Sequence, residues 1–202
     1  MEQESRYVYH GSTQQGLKTI RKNISSHGKS WVYGTLSKAI ATIFISDKGC
    51  DLYYSLSGAG TKESPVTLVE RKEGMFEEIF HVSGSLYTLS GKNFISGKTG
   101  WSAEVVSEYD EEVISEEHID HVFEKLKEFN EQGEIKLYLF PDRPDFIPKD
   151  NSDLIPKVIK WQNNGFNIDK FFQLYPELKD LYFEELEKYN KEVEKQERSF
   201  HR

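Results

Sequence analysis

One cysteine, Cys50, is all the thiol in this chain of 202 residues. A lone cysteine excludes an internal disulfide and any thiolate metal cluster, and it points to a reducing, cytoplasmic setting. Long apolar runs are also missing. None early in the chain has the length of a secretory signal, and none nears the roughly 18 residues of a membrane span, so no membrane association is expected. The phosphate cradles GxxxxGK[ST] and GxGxxG do not occur, nor does the GxSxG nucleophile elbow or the HExxH zinc helix. Six histidines are present without a paired HxH. His118 and His121 have a metal-compatible spacing, but among Glu116, Glu117 and Asp120 they read as solvated surface groups. No structural metal is expected.

Aromatic residues are plentiful: eleven Tyr, thirteen Phe and three Trp. They favour strands and fill sheet faces, so the composition leans towards a β-containing domain. With 37% hydrophobic residues the chain can bury one good core. Its 30% charged fraction and mean hydropathy of -0.66 describe an ordinary solvated surface. The net charge is -8, from 34 acidic and 26 basic residues, which disfavours general binding to a phosphate backbone. The acid is concentrated from Glu104 onwards, whereas Lys18, Arg21, Lys22 and Lys29 share an acid-free stretch. That patch is either a receptor for nucleotide phosphates or a solvated loop.

Residues 6–10 read as a strand, with Tyr7 and Tyr9 on one face and Val8 on the other. A polar stretch from Thr13 to Ser30 leads to a second strand, Trp31 to Gly34. Ser37 then caps a helix over Lys38 to Ile45, whose small Ala39, Ala41 and Thr42 allow a close approach to a sheet. From Asp51 to Trp101 the pattern is β, with short runs at Val66–Val69, Glu78–His81 and Ser85–Leu89 between glycines. Trp101 to Ser107 and Glu112 to Ile114 are further extended pieces. Ser115 is expected to cap the next helix, with Glu116 and Glu117 in its first turn and an apolar stripe at Ile119, Val122, Phe123, Leu126 and Phe129. One more strand, Ile135 to Phe140, and a proline-marked connection precede a long charged helix with a stripe from Leu178 to Val193. Glycine-punctuated short strands favour antiparallel pairing. The expectation is an α+β domain over 1–140 and a helical extension over 141–202 packing back on it.

Two strands deliver a chemically useful residue followed by glycine: Tyr9-His10-Gly11-Ser12 and Val32-Tyr33-Gly34-Thr35-Leu36-Ser37. With the later strand Trp101-Ser102-Ala103-Glu104-Val105-Val106-Ser107-Glu108, this order resembles the ADP-ribosyltransferase superfamily, in its diphtheria-toxin-like and poly-ADP-ribose-polymerase-like branch. The chain is also similar to a group of bacterial proteins with a YHGS start and a GKxVY-type second strand, here Gly28-Lys29-Ser30-Trp31-Val32-Tyr33. The resemblance covers roughly residues 7–115. It implies a split antiparallel sheet and cleavage of NAD at the nicotinamide–ribose bond through an oxocarbenium-like state. On that basis the Gly11 backbone holds the nicotinamide carboxamide, Tyr33 stacks on the ring, and His10 donates to a ribose hydroxyl. Ser12, Gly34 and Ser37 supply supporting contacts. A carboxylate stabilises the developing positive charge and takes a proton from the nucleophile.

The carboxylate has two candidates. Glu104 opens the late strand and is preferred; Glu108 lies four residues on, on the same face if the strand is uninterrupted. A solvated acidic edge that discourages strand pairing is the competing account of both. The expected partners are NAD and a macromolecular acceptor, protein or nucleic acid. Two alternatives stand beside ADP-ribosyl transfer: a tRNA 2′-phosphotransferase-like activity, for which basic residues are few, and a non-catalytic binding module on the same fold.

Overall fold

The computed structural model describes residues 7–24, 28–46 and 52–200, the last four without their side chains. Cys50, and Arg6 at the start of the first expected strand, lie outside the described residues. The chain divides into two compact units, Met1–Asp142 and Arg143–Arg202.

In the first unit, β1 (Tyr7–Ser12) buries Val8 fully, leaves Tyr7 exposed and keeps its other residues half-buried. The two-residue strands β2 (Thr19–Ile20) and β3 (Asn23–Ile24) precede β4 (Ser30–Thr35). α1 (Lys38–Ile43) follows, capped as expected by Ser37, whose Oγ accepts the Ile40 N–H at 3.3 Å. β5 (Tyr54–Ser57), β6 (Val66–Glu70), α2 (Met75–Phe80), β7 (Gly84–Ser90), β8 (Ile95–Ser96), β9 (Glu104–Ser107), β10 (Glu111–Ile119), α3 (Val122–Glu131) and β11 (Ile135–Tyr138) complete the unit. Its main sheet has eight strands, ordered β2-β10-β7-β1-β4-β9-β8 with β3 paired to β4, and its pairings are antiparallel. A smaller sheet, β11-β6-β5, contains one parallel pair, β6 with β11.

Val8, Ile20, Val32, Tyr87, Leu89 and Val105 pack as one cluster against one face of the large sheet. Each buried aliphatic side chain of this kind contributes about 1.5–3 kcal/mol relative to exposure. A second, aromatic cluster joins Tyr54, Phe76, Phe80 and Phe123, with ring centroids 5.4 to 5.9 Å apart.

The α+β class and the dominance of antiparallel pairing agree with expectation, but several elements differ. Glu78–His81 is not a strand: Glu78, Ile79 and Phe80 belong to α2, and His81 is its C-cap. Met75, Phe76, Ile79 and Phe80 fall on one helical face and are all buried, a pattern that a four-residue window hides. The helix expected from Ser115 begins only at Val122, with His121 at the N-cap. Residues 115–119 instead continue β10, paired from Ser115–Thr88 to Ile119–Gly84. A full ladder to β7 satisfies their backbone groups and overrides the local capping signal. β9 starts at Glu104 rather than Trp101, because residues 102 and 103 form a turn.

The second unit is helical. It comprises α4 (Leu154–Asn163), α5 (Asp169–Leu174), the short turn Pro176–Leu178 and α6 (Lys179–Phe200); Leu154, Val158, Phe171, Tyr175 and Tyr182 are buried, and the Phe171 ring lies against those of Tyr175 and Tyr182. The stripe on α6 is buried at Tyr182 and exposed by Tyr189 and Val193.

Candidate functional site

Register aligns the strands that carry the expected residues. Tyr9 of β1 lies opposite Thr35 of β4, and Thr35 lies opposite Glu104 of β9. Directly opposed residues of antiparallel strands share a face, so Tyr9, Thr35 and Glu104 form a row across three adjacent strands. Tyr33, two residues from Thr35 and opposite Val106, belongs to the same face. Helix α1 covers this face at Gly11: a Cβ there would stand 2.0 Å from the Ala41 carbonyl oxygen. Gly34 faces the other way, where a Cβ would meet Val8 Cγ1 at 2.4 Å. Both glycines are therefore fixed by close packing.

Between β1 and β4 the ladder consists of the single pair Tyr9–Thr35, although both strands run on past it. His10 occupies the gap this leaves. Its Nδ1–H donates to the Tyr33 carbonyl oxygen at 2.8 Å. A carbonyl only accepts, so the proton sits on Nδ1 and Nε2 of the neutral ring carries the lone pair. Burial lowers the His10 pKa below its ordinary 6.5, partly opposed by the bond to Tyr33. The ring is thus neutral at pH 7.

A cavity of about 470 Å³ opens at this point, lined by His10, Gly11, Tyr33, Gly34 and Glu104 among others. Its far wall brings residues that sequence reasoning did not single out. Trp101 Nε1 donates to the Gly58 carbonyl at 2.8 Å, and its ring meets Phe44 edge-on at 6.1 Å. Ser102 Oγ donates to the Ala59 carbonyl, so the turn before Glu104 is tied to the 58–64 loop. The cavity-lining Thr99 has a buried Oγ1 with no hydrogen-bond partner. Trp101 stands three residues before Glu104, close enough for the sequence to have suggested it; Phe44 and Thr99 carry no such signal.

A second cavity, of about 730 Å³, shares His10 and Asn23 with the first. By strand parity His10 and Ser12 belong to the sheet face opposite Tyr9 and Gly11, so the two chambers meet at the gap between β1 and β4. Lys18 and Arg21 line this second chamber, while Lys22 and Lys29 do not. Lys22 N–H donates to Asp110.

The remaining expected residues fall elsewhere. Ser12 lines the second chamber, with its Oγ accepting the Gln14 N–H at 3.1 Å. Ser37 is the α1 cap and lines neither cavity. Glu108 sits exposed in the turn after β9, which ends at Ser107, so the shared-face argument for Glu104 and Glu108 fails. His118 is exposed on β10 and bonded to Asp120 at 2.9 Å. Among the described residues, no group of three or more His, Cys, Asp or Glu side chains is placed to hold a metal ion, and no helix is long and apolar enough to cross a membrane. No family model, curated protein or solved structure matches the chain.

Proposed function

We propose that this chain is an ADP-ribosyltransferase of the split-sheet type, which cleaves NAD and passes ADP-ribose to a macromolecular acceptor. The observation that carries this reading is the convergence of His10, Gly11, Tyr33 and Glu104, from three adjacent strands, on one cavity of about 470 Å³. The single-pair ladder between β1 and β4 supports the split-sheet assignment. The neighbouring chamber with Lys18 and Arg21 gives the two phosphates a cationic wall. NAD fits the donor set: a flat ring beside Tyr33, backbone amide and carbonyl at Gly11, and an imidazole acceptor at the junction of the two chambers.

In the proposed reaction the nicotinamide–ribose C–N bond breaks and its electron pair leaves with nicotinamide. Glu104 stabilises the positive charge that develops on the ribose. The acceptor then bonds to the anomeric carbon, and its proton passes to the Glu104 carboxylate. The test is incubation of the purified chain with NAD labelled in the adenylate half. Nicotinamide release with label transfer, both abolished by Glu104→Gln, supports the reading. A folded protein that binds NAD without releasing nicotinamide is a binding module on this fold instead.

A further inference from the structure

Glu116 was expected to open a helix; in the fold it is a strand residue with three hydrogen-bond contacts. It lies opposite Tyr87 of β7, and Tyr87 lies opposite His10 of β1. The three therefore form a row across β1, β7 and β10 on the face of the second chamber. Glu116 Oε1 accepts the Gly16 N–H at 2.8 Å and the Ser85 hydroxyl at 2.7 Å, and stands 3.1 Å from the Tyr87 hydroxyl. That hydroxyl donates to the Gln14 carbonyl at 2.7 Å and accepts the Leu17 N–H at 3.2 Å. Gln14, Gly16 and Leu17 are all wall residues of the second chamber.

Two side chains thus hold the main chain of one loop at three successive points. Gly16, at φ 72°, turns this loop through a conformation that suits glycine. The Tyr87 ring is fully buried in the sheet core, so its hydroxyl is a fixed post. The bonds to Gly16 and Ser85 hold the Glu116 carboxyl below the usual carboxylate range, which keeps it an ionised acceptor at neutral pH.

We propose that Glu116 and Tyr87 are positioning residues that shape the Gln14–Leu17 loop into the wall of the chamber receiving the ADP half of NAD. The inference rests on the reading of the site given above. It separates the two chambers: loss of the clamp affects ligands that reach the second chamber and leaves nicotinamide, confined to the first, unaffected. Asparagine or alanine cannot reproduce the Glu116 contacts. Glutamine keeps an acceptor oxygen at the same reach.

The experiment measures nicotinamide and ADP-ribose binding by calorimetry, with amide exchange at Gly16 and Leu17, in the wild type, Glu116→Gln and Glu116→Ala. In Glu116→Ala, Gly16 exchange accelerates and ADP-ribose binding weakens by about tenfold or more, the value of one charged hydrogen bond. Nicotinamide binding stays within twofold, and Glu116→Gln restores most of the ADP-ribose affinity. Fast exchange with unchanged ADP-ribose binding overturns the inference, as does equal loss for both ligands. A wild type that protects Gly16 but binds neither ligand overturns the NAD reading, and the positioning role falls with it.

Discussion

His10 Nδ1–H donates to the main-chain carbonyl of Tyr33 at 2.8 Å, joining β1 and β4 just beyond the Tyr9–Thr35 pair of their ladder. That bond fixes the imidazole tautomer with the proton on Nδ1, and the same ring lines both chambers.

A pH dependence follows. The folded His10 pKa lies below its ordinary 6.5 because burial disfavours the charged ring. Between the two values the unfolded chain binds more protons than the folded one. The stability due to neutral His10 is therefore fully present above 6.5 and is lost as pH falls through the folded pKa. Denaturant unfolding at pH 7.5 and at stepwise lower pH is expected to show a steeper acid loss in the wild type than in His10→Gln. Parallel curves contradict the assignment.

Gly11→Ala is expected to fail structurally before it fails chemically. Its Cβ would stand 2.0 Å from the Ala41 carbonyl, backbone that can only move with the helix. Overpacking of this kind costs about 1–3 kcal/mol, read as a lower denaturation midpoint at unchanged slope. NAD affinity falls with it, since α1 borders the first cavity through Ala41. A variant as stable as the wild type would show that the helix does not press on β1 at Gly11.

Charge in the second chamber predicts a salt effect. Lys18 and Arg21 are exposed and face the chamber, so their attraction for phosphates is screened by salt. The double variant Lys18→Gln, Arg21→Gln is expected to bind ADP-ribose several-fold more weakly at low ionic strength. The difference shrinks as salt rises. Nicotinamide binding stays the same. An unchanged salt dependence would remove these two residues from the phosphate site.

Much of this site is legible in the sequence because its signals are local. His10-Gly11 and Tyr33-Gly34 each lie within a short strand, and Ser37 caps its helix over three residues. What escaped detection depends on distant partners. Ser115-Glu116-Glu117 has the chemistry of a helix start, yet six residues of β10 pair with β7 and hold the segment extended. Glu108 shares the strand parity of Glu104 on paper, but the strand ends one residue before it. Glu116 contacts Gly16, 100 residues away, and no spacing rule reaches that far.

In the proposed reaction Glu104, not Glu108, supplies the reacting carboxylate of an NAD-cleaving site. The most direct measurement is nicotinamide release from NAD by the wild type, Glu104→Gln and Glu108→Gln at matched thermal stability. Expected are release by the wild type, release within twofold of it for Glu108→Gln, and a loss of about 100-fold or more for Glu104→Gln, the scale of removing a charge-stabilising group. Undiminished release by Glu104→Gln, or none by a folded wild type that binds NAD, would contradict it.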